Sequence, residues 1–308
     1  MTPPEPRRDA FATRAVHAGL TPDPSFGSVI PAIHQTSTYA QPRPGEFVAD
    51  YDYARSANPT RAALEQALGE LEGGFAVAFA SGLAAEHALL TVVCEAGAHI
   101  VLPGDLYGGT YRLVDKVMAR WGLSYDLVTQ TDLTALQRAV HDHTRLIWVE
   151  SPTNPLLNVI DLAGVVARRR GALVAVDNTF ATPANQRPLE LGADFVVHST
   201  TKYLGGHSDV VGGAVVARER EWYERLRFVQ NAVGAIPGPF DCFLVHRGLR
   251  TLHLRMEAHA RSAGAVVELL RGVPDVSDVR WPGFSGMVSF RQEPLSISNV
   301  TFCYIFGI

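Results

Sequence analysis

From Asn58 onward, short apolar runs alternate with stretches in which apolar residues recur every three to four positions. The short runs predict strands near residues 75–80, 99–102, 125–129, 145–150, 172–177, 194–198 and 210–217. The longer periodicities predict helices near 83–96, 110–121, 132–141, 161–170 and 218–230. In the first helix the start and stop signals agree with the pattern. Asn58 can cap, Pro59 suits the first helical position, Leu64, Leu68 and Leu71 share one face, and Gly73-Gly74 ends it. Strands alternating with helices predict an α/β fold with a mostly parallel sheet, whose ligands gather beyond the carboxyl ends of the strands. Residues 1–58, rich in Pro and Gly, read as an extended N-terminal arm, with regular structure beginning at Asn58-Pro59. One long helical pattern from about Asp241 to Leu270, carrying Leu244, Leu249, Leu252 and Met256, leads towards a second domain.

The 308 residues are 47% hydrophobic and 19% charged, enough for a sizeable core in a soluble globular protein. The formal net charge is -4. Basic residues are scattered, apart from Arg168-Arg169-Arg170 at a predicted helix end, so nothing points to nucleic acid. The N-terminus is polar and proline-rich, and no apolar run reaches membrane-spanning length, so a cytoplasmic location without membrane partners is expected. Cys94, Cys242 and Cys303 are widely spaced and do not form a disulfide or zinc pattern; Cys94 and Cys242 read as small core residues.

The candidate chemistry sits at predicted strand ends. One apolar strand ends in Asp177, and the next, Ala193 to Val197, runs into His198-Ser-Thr-Thr-Lys-Tyr-Leu-Gly-Gly-His-Ser-Asp209, which presents Lys202 among hydroxyls and glycines. An Asp and a Lys at adjacent strand ends suit pyridoxal phosphate (PLP): the carboxylate keeps the ring nitrogen protonated and the amine takes the aldehyde. Singly, each has a plainer reading, the Asp as a cap or turn residue and the Lys as a solvated side chain. The strand from Phe75 enters a helix through Ser81-Gly82-Leu83, where first-turn amides suit an anion; a turn needing a small residue is the alternative. Ser199 and Thr201 can add hydroxyls, and Tyr53 with Arg55 offers a phenol and a guanidinium shaped for phosphate. Tyr107, beside Gly108-Gly109, suits stacking on a flat ring that the glycines let approach, or is an ordinary turn tyrosine. Asn154, in Ser-Pro-Thr-Asn-Pro, can bond a phenolic oxygen or simply make an Asn-Pro turn. His141-Asp-His143 has metal-like spacing without a further ligand nearby in sequence, and no metal is expected.

In order, Tyr53-x-Arg55-x-x-Asn-Pro-Thr60, Ala80-Ser-Gly-Leu-Ala-Ala85, Tyr107-Gly-Gly, Ser151-Pro-Thr-Asn-Pro155, Val176-Asp-Asn-Thr-Phe180 and Ser199-Thr-Thr-Lys-Tyr-x-Gly-Gly-His-Ser-Asp209 resemble the serial signatures of the Cys/Met-metabolism PLP-dependent enzymes. Within that family the chain most resembles bacterial cystathionine γ-synthases and γ-lyases, helped by Phe228-Val-Gln-Asn231, Gly238-Pro-Phe-Asp241 and Arg247-Gly-Leu-Arg-Thr-Leu252. The resemblance implies an aspartate aminotransferase-like, fold type I large domain. By the same resemblance Lys202 binds the aldehyde and shuttles protons, Asp177 holds the ring nitrogen protonated, and Tyr107 stacks on the ring. Gly82, Leu83, Ser199 and Thr201 hold the phosphate, with Ser81, Asn154 and Thr179 also beside the cofactor. Tyr53 and Arg55 reach the phosphate of a neighbouring subunit, which implies a homodimer or homotetramer. Arg112, with Tyr107 and Asn154, faces a small amino-acid substrate, and its guanidinium suits a distal carboxylate. The implied reaction is PLP-dependent γ-replacement or elimination in transsulfuration. Synthesis of cystathionine from an activated homoserine ester and cysteine is favoured. Cystathionine γ-lyase, O-acetylhomoserine sulfhydrylase and methionine γ-lyase are the alternatives. Methionine γ-lyases usually carry Cys where this chain has Gly109, and sulfhydrylating relatives usually lack the arginine at Arg112.

The resemblance covers residues 13 to about 290 and implies three parts: an arm over 1–58, a PLP-binding large domain over 59–248, and an incomplete C-terminal α+β domain over 249–308. The family's last sheet and the loops that hold the substrate α-carboxylate have no counterpart in residues 291–308. This makes PLP binding with little turnover a second expectation. A non-enzymatic interaction module leaves the six motifs unexplained.

Overall fold

The computed structural model describes residues 10–49 and 51–292. Helix α1 (Phe11–His17) comes first, then α2 (Pro59–Glu72), β1 (Phe75–Phe79), α3 (Gly82–Val93), β2 (His99–Pro103), α4 (Gly108–Arg112) and β3 (Ser124–Val128). The chain continues through α5 (Leu133–Ala139), β4 (Thr144–Glu150), α6 (Leu162–Ala167), β5 (Leu173–Asp177), α7 (Thr182–Asn185), β6 (Phe195–His198) and β7 (Gly213–Ala217). It ends with α8 (Arg220–Val233), α9 (Pro239–Leu249), α10 (Leu252–Arg271), β8 (Val276–Arg280) and β9 (Ser289–Gln292).

Seven strands form one sheet in the order β1-β7-β6-β5-β4-β2-β3. Strand β7 runs antiparallel to β1 and β6, and the other pairings are parallel. Strands β2, β6 and β7 are buried at every position, the condition under which a strand reads as a continuous apolar run. One core cluster joins α2 and α9 to the sheet, a second joins α3 and α8 to it, and a third lies under α5 and α6. Because β7 is antiparallel to both neighbours, β1 points the same way as β4, β5 and β6. Their carboxyl ends therefore share one side of the sheet.

Helix α2 forms as its end signals require. The Asn58 side chain accepts the amides of Thr60 and Arg61, and Gly73 takes a left-handed φ of 85°. Leu64, Leu68 and Leu71 are all buried on its inner face.

Several expectations need correction. The segment before Asn58 is not wholly extended, since Phe11–His17 is helical and Ala15 and Ala18 are buried. His246 Nε2 fixes this helix's end by bonding the Ala18 carbonyl oxygen at 2.9 Å. The expected helix over 110–121 is three tandem turns, with α4 followed by a wider turn over Leu113–Val117 and a tighter one over Met118–Trp121. Strand β7 begins at Gly213, because Gly212 and Thr201 bond each other there instead. The single helix expected from Asp241 to Leu270 is two, α9 and α10. Thr251 Oγ1 and Arg255 Nη2 both donate to the Gly248 carbonyl oxygen, taking an acceptor that a continuous helix would use. Gly248 also lies so close to the loop after Lys202 that a Cβ there would meet the Gly205 oxygen at 2.2 Å. Cys242 is fully buried, whereas Cys94 is partly exposed against the core.

Strands β8 and β9 pair antiparallel, and Val288 packs with Ala263 and Val267 of α10. Cys303 and residues 293–308, most of the tail to which the incomplete-domain expectation refers, lie outside the described residues. No described helix is long and apolar enough to cross a membrane.

Candidate active site

A cavity of about 370 Å³ opens at the shared carboxyl ends of β1, β4, β5 and β6, within the size range of small-molecule sites. Ten of the residues singled out in the sequence line it: Ser81, Gly82, Leu83, Tyr107, Asn154, Asp177, Thr179, Ser199, Thr201 and Lys202. The pairing explains their convergence. Glu150 is in register with Asp177, and Asp177 with Val197, so the last residues of β4 and β5 stand side by side next to the segment leading to Lys202.

The Lys202 loop is tied down on three sides. The Ser199 amide donates to Thr179 Oγ1 at 2.9 Å, which joins it to the end of β5. Thr201 Oγ1 donates to the Gly212 oxygen and accepts the Gly212 amide, which joins it to the entrance of β7. Beyond the lysine, Arg255 Nη1 donates to the Tyr203 oxygen at 2.6 Å, and the Tyr203 hydroxyl accepts the Gly286 amide at 3.1 Å. The last contact seats Met287 on the cavity wall.

Helix α3 starts at this cavity. Ser81 Oγ accepts the Ala84 amide at 3.1 Å, and the first-turn residues Gly82 and Leu83 face the opening with the positive end of a twelve-residue helix behind them. A Cβ on Gly82 would come within 3.1 Å of Ser199 Cβ, so glycine is what lets the helix start and the lysine loop close on one anion-sized space.

Three carboxyl groups surround the cavity. Asp177 Oδ1 accepts the Thr179 amide at 2.9 Å, and burial holds its carboxyl above the ordinary range despite that bond. Glu150 Oε2 accepts the Tyr107 amide at 2.8 Å and Oε1 the Asn154 amide at 2.6 Å. Burial, and then the Asp177 charge, push Glu150 well above the usual carboxyl range. Burial pushes Glu86 up to about 8, again with help from Asp177, and its Oε2 has no hydrogen-bond partner among the described residues. Burial is the main cause in all three, and a cation placed against Asp177 would offset it there. A protonated pyridine nitrogen against Asp177, an aldehyde at Lys202, and a phosphate at Gly82, Leu83, Ser199 and Thr201 match this donor set. The residues present therefore fit PLP.

Three sequence-predicted residues stand outside the cavity wall. Tyr53 and Arg55 are exposed, and Arg55 Nη1 donates to the Asn231 carbonyl oxygen at 2.6 Å and to its Oδ1 at 3.1 Å. Arg112 is exposed at the last position of α4. The two glycines after Tyr107 also act differently from expectation. A Cβ at Gly108 would meet open space, whereas one at Gly109 would lie 2.2 Å from Tyr107 Cε1. Gly109 makes room for the Tyr107 ring itself rather than for an incoming plane.

Sequence reasoning assigned no role to Glu72, Glu86, Glu150 or Met287. Glu72 is fully buried, and its Oε1 meets His198 Nε2 at 2.6 Å and accepts from Asn178 Nδ2 at 2.9 Å, bracing the ends of β5 and β6 from below. One signal was available: an acid closing a helix opposes the helix dipole and calls for a compensating partner.

The model of the family described as Cys/Met metabolism PLP-dependent enzyme matches residues 12–302. The chain is 51% identical over 301 residues to cystathionine gamma-synthase of Mycobacterium tuberculosis, covering 92% of this chain and 78% of that protein. It is 46% identical to cystathionine beta-lyase of Lactococcus lactis, with 92% and 79% covered. The crystal structure of cystathionine gamma synthase from Xanthomonas oryzae pv. oryzae in complex with cystathionine superposes with a TM-score of 0.89 at 42% identity, covering 94% of this chain and 79% of that one. With a cavity whose walls fit the cofactor and a match along nearly its whole length, the chain belongs to the Cys/Met metabolism PLP-dependent enzymes.

Proposed function

We propose that the chain catalyses γ-replacement, joining the thiol of cysteine to the γ-carbon of an activated homoserine ester to give cystathionine and a free carboxylic acid. The observation that carries this reading is the convergence of Lys202, Asp177 and the α3 start on one cavity, in a chain about half identical to a cystathionine gamma-synthase. PLP, when bound, supplies an aldehyde for the substrate amine and an electron sink for charge developing at Cα. The Lys202 amine moves protons at the substrate carbons, a general acid–base contribution on the order of 10²- to 10⁴-fold. Asp177 holds the proton of the ring nitrogen. Glu150 fixes the amides on either side of the opening and so positions Tyr107 and Asn154. Met287, Phe180 and Val211 line the remaining wall with apolar surface and limit water there. Arg112 takes the distal carboxylate of the substrate in this proposal.

The arm bears Tyr53 and Arg55 on its exposed side, and we propose that a second copy of the chain brings them to its partner's phosphate, giving a homodimer or homotetramer in the cytoplasm. A β-lyase reading is favoured by the Lactococcus lactis relative and breaks cystathionine instead of forming it. Product analysis with the holoenzyme separates the two. Cystathionine formed from O-succinyl- or O-acetylhomoserine and cysteine supports the proposal. Homocysteine, pyruvate and ammonia released from cystathionine, without synthesis, overturns it.

A further inference from the structure

At the opposite ends of the strands from the cofactor cavity, a second cluster of chemistry-bearing side chains meets. His99 opens β2, Asp126 lies in the neighbouring β3, and His141 lies between α5 and β4. The pairing puts them together: His99 is in register with Ser124 and Thr144, and Asp126, two residues beyond Ser124, returns to the same face of the sheet. The spacing His141-Asp-His143 alone lacks further ligands in sequence; the fold supplies them from β2 and β3.

We propose that His99 Nε2, His141 Nε2 and the Asp126 carboxylate form a site for a divalent transition-metal ion, with Zn²⁺ the matching ion. One ligand atom from each residue lies within 4.8 Å of the other two. Asp126 Oδ2 is 3.5 Å from each imidazole nitrogen. Tetrahedral bonds of about 2.0–2.1 Å to zinc set donor atoms about 3.4 Å apart, which matches the two Asp126–imidazole spacings, while the two imidazole nitrogens lie within 4.8 Å of each other. At 3.5 Å each Asp126–imidazole contact is longer than the usual range of about 2.7–3.2 Å for an N–H···O bond, so the carboxylate is shared loosely between the two rings. Two imidazoles and one carboxylate form a borderline donor set that suits zinc better than magnesium or calcium.

The outer contacts match a metal site as well. His99 is buried, and its Nδ1 lies 2.8 Å from Thr144 Oγ1, leaving Nε2 facing the gap. The same hydroxyl oxygen accepts the His141 main-chain amide at 2.8 Å, so Thr144 orients the His99 ring as an outer-shell group would and fixes the His141 backbone beside it. The Asp126 and His141 side chains are about half exposed, which gives an ion access and leaves a coordination position for water. The His143 ring stacks on His141 with 5.5 Å between centroids and covers part of the cluster. A bound ion would fasten the turn before β4 to the adjoining strands β2 and β3.

Equilibrium dialysis of the holoenzyme against Zn²⁺ is the direct test. The proposal expects one saturable ion per chain, lost in Asp126→Asn and in His141→Ala. Both altered side chains are about half exposed, and folding is checked by unchanged cofactor absorbance. Thr144→Val should weaken the same binding step about 10- to 100-fold. X-ray absorption at the zinc edge should report two imidazole ligands. Absence of a saturable step, or a step that survives in both single variants, overturns the proposal.

Discussion

Glu72 Oε1 stands 2.6 Å from His198 Nε2 with both side chains fully buried, linking the last residue of α2 to the last residue of β6, four positions before Lys202. Glu72 also accepts from Asn178, which follows the cavity acid Asp177. The contact therefore holds two strand ends at once. Glu72→Ala leaves buried His198 Nε2 and Asn178 Nδ2 without this partner and should destabilise the fold by about 2–4 kcal/mol. Urea denaturation checks this, and a loss below about 1 kcal/mol, the size of an exposed pair, would contradict it.

Asp177→Asn should retain PLP yet lose on the order of 10²-fold or more in turnover, since a neutral amide does not keep the ring nitrogen protonated. The cofactor spectrum and the rate are read on the same preparation. Unchanged turnover, or loss of the cofactor, would remove Asp177 from its assigned role.

Glu86 gives a pH signature in the PLP-free protein. Its folded-state pKa of about 8 lies above the ordinary 4.5, so between those values the folded state binds more protons than the unfolded one. Stability should then fall as pH rises through this window, by up to several kcal/mol, with the loss complete above about pH 8. Glu86→Gln should flatten that descent in denaturant titrations. Parallel profiles for the two proteins would show that Glu86 titrates elsewhere.

The proposed exchange of arms predicts complementation. Arg55→Ala should weaken PLP binding, and mixing that variant with Lys202→Ala should restore some competent sites, because one hybrid site carries both native residues. Lack of rescue despite demonstrated subunit exchange would place Arg55 in service of its own chain, where it already bonds Asn231.

The sheet was legible because strands such as β2, β6 and β7 are buried on both faces and spell continuous apolar runs. The cavity was legible because its groups sit where those runs stop, as Asp177 and Ser199 do. What sequence patterns did not disclose depends on distant pairing. Helix α1 is short and gains its place from α2, α10 and His246. The break between α9 and α10 answers to Arg255 and the close approach of Gly205. Glu72 meets His198 across 126 positions, and Asp126 meets His99 through strand register. No local spacing encodes such meetings.

The central claim is that Lys202 carries the cofactor, and the chain's composition makes it unusually testable. It contains two lysines, Lys202 on the cavity wall and Lys116 on the surface beside Asp115. Borohydride reduction of the holoenzyme followed by peptide mass mapping should place one pyridoxyl group on the peptide holding Lys202 and none on that holding Lys116. A reduced adduct on Lys116 alone, or cofactor released without any lysine adduct, would contradict the account.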